Sequence, residues 1–129
     1  MIVDSSAAVA ILLRQPGYEP LLERLAAETG VAIGAATLAE TGIVLAARLG
    51  VSGLTLLARF VQESGLVVVA FSEEHWPVAV DAFLRFGKGR HPAALNFGDC
   101  LTYAIARLAE EPLLSLGEDF RKTDLALAL

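Results

Sequence analysis

The run Leu66 to Phe71 is continuously apolar and rich in β-branched residues, the pattern of a strand covered on both faces in a parallel sheet. Shorter apolar runs at Ile2-Val3, Val31 to Ala35, Pro112 to Leu116 and Leu125 to Ala128 read as further strands. Between them lie stretches with helical spacing: Ala7 to Arg14, Tyr18 to Glu28, Thr37 to Leu49, a segment capped by Ser52 and ending at Ser64-Gly65, one starting at Ser72-Glu73-Glu74 and reaching Phe86, and Phe97 to Ala109. Thr37 and Glu40 have capping-box spacing. A short helical turn is expected near Gly117 to Lys122. Strands that alternate with helices or helix pairs from end to end define an α/β sandwich around a mainly parallel sheet. Ligands in such folds bind at the carboxyl ends of the strands.

The 129 residues fit one domain, 1–129, and 55% apolar against 19% charged residues exclude a disordered chain. One cysteine, Cys100, and two histidines leave no conventional zinc site and no intrachain disulfide. Cys100 reads as inert core. Glu40, Arg48 and Arg59 interrupt the apolar middle, so no run spans a bilayer. Without a basic, apolar leader after Met1, a cytoplasmic location is expected. The formal charge of −5 has the wrong sign for gripping nucleic acid by bulk electrostatics. A polyanion partner would need a local basic patch or bound cations.

The placement of the acids supplies a reason for cations. Asp4 follows the first strand, Glu40 sits near the start of the helix after the second, Asp99 in the first turn of the helix from Phe97, and Asp119 just past the strand Pro112 to Leu116. All four belong to the carboxyl edge of the sheet. Each alone is explained by a helix dipole or a cap. Together they are costly, since two unit charges about 4 Å apart at an effective dielectric near 20 repel by about 4 kcal/mol. Such a cluster requires protons or cations, and oxygen donors select Mg²⁺, with Mn²⁺ as a substitute. Ser5 and Ser6 can cap the first helix, or orient Asp4.

Arg85, Lys88, Arg90 and His91 are a solvated loop after a helix end, or a phosphate clamp leading a polynucleotide toward the acids. Arg14, Arg121 and Lys122 are weaker candidates of the same kind. Trp76, Phe83 and Phe86 read as helix packing in preference to a base-stacking platform. His75 reads as a surface or capping residue.

Met1-Ile2-Val3-Asp4-Ser5-Ser6-Ala7, Ala35-Ala36-Thr37-Leu38-Ala39-Glu40, the stretch 87–100 with Asn96-Phe97-Gly98-Asp99-Cys100, and the stretch 112–125 with Glu118, Asp119 and Asp124 resemble the PIN-domain family. Within it they are similar to the VapC ribonuclease toxins of toxin–antitoxin pairs. The resemblance covers essentially the whole chain. It departs from the pattern only slightly, with Ser5 where Thr is common and Glu118 where Asp or Asn is common. It implies a three-layer α/β/α fold, a Mg²⁺-dependent endoribonuclease that hydrolyses RNA with a metal-activated water, a VapB-like antitoxin, and a homodimer. Carried over, Asp4, Glu40, Asp99 and Asp119 match the metal-binding and catalytic acids, and Asp124 a supporting acid behind them. Two other readings stand beside this one: a non-catalytic metal-binding interaction module, and an aspartyl-phosphate phosphatase or receiver-like domain. The second lacks the Asp expected at position 6 and a well-placed lysine.

Overall fold

The computed structural model describes all residues, 1–129. Four strands, β1 (Ile2–Val3), β2 (Ala32–Gly34), β3 (Val67–Val69) and β4 (Leu113–Leu114), form one parallel sheet in the order β3-β2-β1-β4. Six helices surround it: α1 (Ser5–Leu13), α2 (Tyr18–Ala27), α3 (Ala35–Leu49), α4 (Val51–Ser64), α5 (His75–Phe86) and α6 (Phe97–Ala109). A 3₁₀ turn spans Phe120–Lys122.

Alternation along the strands sorts the core into two halves. Val3, Ile33 and Leu114 pack with Ala7, Ile11, Leu21 and Leu25 of α1 and α2. Their neighbours Ile2 and Leu113 point to the other face, toward Ala79 and Ala82 of α5 and Tyr103, Ala104 and Ile105 of α6. Successive side chains of a strand face opposite ways, so apolar strands this short bind a helical layer on each side. The expected three-layer α/β/α sandwich is the result. α3 crosses the carboxyl edge, meeting α1, α4 and α6. Gly53 permits its close pairing with α4, because a Cβ there would stand 2.5 Å from the Leu45 carbonyl oxygen.

Several local expectations are corrected. β2 runs into α3 with no loop, so α3 begins at Ala35 with Gly34 as its cap and no capping side chain. Thr37 is therefore internal, buried, and hydrogen-bonded at 2.9 Å to Thr102 of α6. Glu40 moves from the first turn into the second. Likewise α4 starts at Val51, ahead of Ser52, because Gly50 at φ 64° makes the turn from α3.

β3 is an edge strand instead of a doubly covered one. Val67 is 60% and Val68 44% exposed, since β3 pairs only with β2 and has no strand on its other side. The opposite edge is covered by the chain's own C-terminus, but the expected last strand contracts to a single bridge between Leu127 and Leu113. α5 begins at His75, later than expected, with no capping side chain; His75, expected at the surface or as a cap, is buried and accepts at Nδ1 from the Ser72 backbone N–H at 3.0 Å, which holds the turn before the helix.

Candidate active site

Asp4 ends β1 and caps α1, where the strand-to-helix switch lowers its carboxylate into the carboxyl edge of the sheet. Its Oδ2 accepts from the Ser6 backbone N–H at 3.1 Å and from the Ser6 hydroxyl at 2.6 Å. Asp4 is only 3% exposed, and its Oδ1 is a buried side-chain oxygen without a hydrogen-bond partner. An uncompensated buried oxygen of this kind is costly. Ser6 in turn accepts at Oγ from the Leu116 backbone N–H at 3.0 Å, which ties the end of β1 to the segment after β4 that carries Asp119.

Asp99 stands in the first turn of α6, in a reciprocal capping box with Asn96. Asn96 Oδ1 accepts from the Asp99 N–H at 2.9 Å, and Asp99 Oδ2 accepts from the Asn96 N–H at 3.0 Å. Burial, followed by the negative charges of Asp4, Asp119 and Glu40, pushes the Asp99 carboxyl up to about 6, against the lowering effect of the Asn96 N–H. Asp4, Glu40 and Asp119 thus all lie within electrostatic reach of Asp99. Glu40 lies over the backbone of α6: a Cβ on Gly98 would fall 2.7 Å from Glu40 Oε2. Asp119 is exposed and precedes the 3₁₀ turn, while neighbouring Glu118 pairs with Arg121 at 3.6 Å.

As the side chains stand, no three His, Cys, Asp or Glu residues are close enough together to hold a metal ion. The donor set nonetheless suits a hard divalent cation. It is all oxygen, it leaves Asp4 Oδ1 unsatisfied, and it holds Asp99 at a raised pKa that a positive charge would relieve.

The expected supporting residues divide. Ser6 contacts Asp4 directly, whereas Ser5 makes no side-chain hydrogen bond to it. Asp124 is not behind the acids. It accepts from the Tyr103 hydroxyl at 2.7 Å and from Arg85 at 2.8 Å, and pairs with Arg107. Desolvation would raise its carboxyl, but the hydrogen bonds from Tyr103, Arg85 and Arg107 prevail and hold it at about 2. The reason is topological, since the turn after Phe120 carries Asp124 to the flank of α5 and α6. Arg85, expected with the basic loop, is paired with Asp124 and Asp81 within this cluster.

Of the remaining basic residues, Lys88 is exposed, Arg90 donates to the Leu84 carbonyl at 3.2 Å, and His91 accepts from the Ala93 N–H at 3.0 Å. Their loop is anchored by a bridge from Gly87 to Leu95 and by fully buried Ala93 and Leu95. The packing reading holds for Phe86, set against Tyr103 and His91, but Trp76 and Phe83 are exposed. Cys100 is buried, as expected, and burial raises its thiol. Tyr103 went unremarked in the sequence reading, and Asn96 and Gly98 entered it only within the motif 96–100, with no role of their own. The Asn96-to-Asp99 spacing of a capping box was the available signal for Asn96.

Comparison with known proteins agrees with this fold. Residues 1–125 match the PIN-domain family. Ribonuclease VapC36 of Mycobacterium tuberculosis is 48% identical over 126 residues, spanning 97% of this chain and 91% of its own length. Ribonuclease VapC of Mycolicibacterium smegmatis is 42% identical over 98% of both chains. Among solved structures, Mycobacterium tuberculosis VapC20, described as a Sarcin-Ricin loop cleaving toxin, superposes with a TM-score of 0.78 over 97% of this chain and 95% of its own, at 18% identity. VapBC2 from Rickettsia felis, bound to a DNA fragment from its promoter, gives 0.76 over 98% and 95% at 19% identity. With its parallel sheet, its acids on one edge and these relatives over nearly its whole length, the chain belongs to the PIN-domain family and is of the VapC type.

Proposed function

We propose that this protein is a Mg²⁺-dependent endoribonuclease, the toxin of a toxin–antitoxin pair, acting in the cytoplasm. The observation that supports the reading is the buried Asp4 oxygen without a hydrogen-bond partner on the sheet edge where Asp99 feels the charges of Asp4, Glu40 and Asp119. The names of its relatives, ribonuclease VapC, support the same activity.

Asp4 and Asp99 would hold the ion, with Glu40 and Asp119 completing the pocket. When bound, Mg²⁺ lowers the pKa of a water and offsets charge on the phosphoryl oxygens. The residues supply placement. Ser6 fixes the Asp4 carboxylate through Oδ2 and leaves Oδ1 free, while Asn96 does the same for Asp99 through its Oδ2. Attack of that water on phosphorus breaks the bond to the 3′ oxygen, which takes up a proton, and leaves 5′-phosphate and 3′-hydroxyl ends.

The partner is a VapB-like antitoxin, in keeping with the VapBC2 assembly among the structural neighbours, and two copies of the chain associate. The test is cleavage of total and single-stranded RNA by purified protein, with Mg²⁺, with Mn²⁺ and with EDTA, alongside Asp4→Asn. Mg²⁺-dependent cleavage lost in the variant is expected. Cleavage that persists in the variant defeats the site assignment, and no cleavage of any RNA leaves the non-catalytic interaction module.

A further inference from the structure

Three contacts join the end of β2 and α3 to α6, and they fall in one order. A Cβ on Gly34 would stand 3.0 Å from Ile105 Cγ1, the Thr37 and Thr102 hydroxyls are 2.9 Å apart, and a Cβ on Gly98 would fall 2.7 Å from Glu40 Oε2. Positions rise through Gly34, Thr37 and Glu40 on one side while they fall through Ile105, Thr102 and Gly98 on the other. Residues three and four apart share a helix face, so α3 and α6 meet in opposite senses along a single seam. Two of the acids depend on that seam. Glu40 follows Thr37 by one turn on α3, and Asp99 precedes Thr102 by one turn on α6.

Only the middle contact is a directional bond. Thr37 and Thr102 are 3% and 1% exposed within one chain, so they stay enclosed when two copies associate. A helical threonine can satisfy its hydroxyl on its own backbone, and buried Thr41 does so, donating to the Thr37 carbonyl at 2.8 Å. Thr37 and Thr102 bond across the seam instead. Two valines of the same shape would fill this space at little net cost, so the hydroxyl pair adds direction more than stability. A buried polar group fixes register between packed helices in the same way. Sliding α6 along α3 by one turn, about 5.4 Å, would strand both hydroxyls and carry Asp99 away from Glu40.

We propose that the Thr37–Thr102 hydroxyl pair pins α3 and α6 in register and thereby sets how Glu40 stands to Asp99. The two threonines are positioning residues for the divalent ion that these acids would hold. This rests on the nuclease reading and adds what keeps its acids in step.

The test compares full-length Thr37→Val, Thr102→Val and the double variant with the wild type. It reads Tm in EDTA, the Mg²⁺ concentration that gives half of the Tm rise at pH 7.5, and RNA cleavage. Each single variant leaves one buried hydroxyl unpaired and lowers the Tm; the double variant, with neither, regains most of it. The Mg²⁺ half-point nonetheless rises about tenfold in the double variant, with a similar fall in cleavage. Thr37→Ser, which keeps the hydroxyl, restores both. Thr41→Val, which removes an equally buried hydroxyl that does not reach α6, shifts neither.

A double variant with the wild-type Mg²⁺ half-point overturns the proposal. So does a half-point that merely follows the Tm, raised in the single variants and normal in the double. An equal shift in Thr41→Val, or no rescue by Thr37→Ser, means that the bond across the seam is not what matters. Wild-type cleavage that the double variant reproduces sinks the pin and leaves the nuclease standing. A half-point shifted about tenfold, in a protein that cleaves no RNA, does the reverse.

Discussion

The Ser6 hydroxyl donates a 2.6 Å hydrogen bond to one oxygen of the Asp4 carboxylate, while the other oxygen is buried and takes no hydrogen bond. Half of this carboxylate is therefore fixed by the protein and half is left unsatisfied. In Asp4→Asn the side-chain oxygen can still accept from Ser6, the helix keeps a good cap, and the amide removes a buried charge. Thermal denaturation without metal should show an unchanged or higher Tm. RNA cleavage should fall by more than the roughly 10- to 100-fold typical of residues supporting a metal ligand.

Ser6 joins two elements, since its oxygen also accepts from Leu116 N–H beyond β4. Ser6→Ala should lower cleavage by about 10- to 100-fold and weaken apparent Mg²⁺ affinity. Ser6→Thr, which retains the hydroxyl, should restore most of both. Equal loss in the Ala and Thr variants would mean that the hydroxyl is not what matters.

At Gly98 the constraint is the approach of Glu40, not backbone strain. A Cβ there would meet only the far end of the Glu40 side chain, at 2.7 to 3.1 Å. The flexible carboxylate can swing aside at little cost, and Ala is the better helix former by about 1 kcal/mol. Gly98→Ala is expected to fold with equal or higher Tm while cleaving RNA more slowly, because Glu40 has moved.

The raised Asp99 pKa sets the pH dependence of the metal-free protein. A carboxyl at about 6 when folded, against 3.8 as its ordinary value, binds its proton more tightly in the native state. Its contribution is full below pH 4 and is lost as pH rises through 6, on the order of 2 kcal/mol. In EDTA, stability should fall between pH 4 and pH 7 by this amount relative to Asp99→Asn. Added Mg²⁺ at pH 7.5 should raise the Tm of the wild type and not that of the variant.

Asp124 behaves in the opposite sense. Held at about 2 by Tyr103, Arg85 and Arg107 against its own desolvation, it stabilises the fold above its ordinary range near 3.8, and that contribution disappears as pH falls toward 2. The group is partly exposed, so screening reduces the effect to about 1 kcal/mol. Asp124→Asn should lower Tm at pH 6, with the difference from wild type closing near pH 2, and should leave the Mg²⁺ dependence of cleavage intact.

Much of this protein was legible along the chain. Apolar strands flanked by helices of the right length give a parallel α/β sandwich through local periodicity alone, and residues such as Asp4 and Asp99 are placed on the carboxyl edge by strand and helix ends. What lay beyond the sequence depends on neighbours distant in the chain. Val67 and Val68 read as core because composition records apolarity but not which strand finishes the sheet. Thr37 read as a cap until Thr102 on another helix supplied its buried partner. Asp124 joined the wrong group of acids because three charges crowd one turn, and only packing of α5 against α6 decided that two arginines and a tyrosine would claim it. Local pattern fixes where a side chain sits on its own element. Its hydrogen-bond partner and the charge it feels are set by whichever elements close around it.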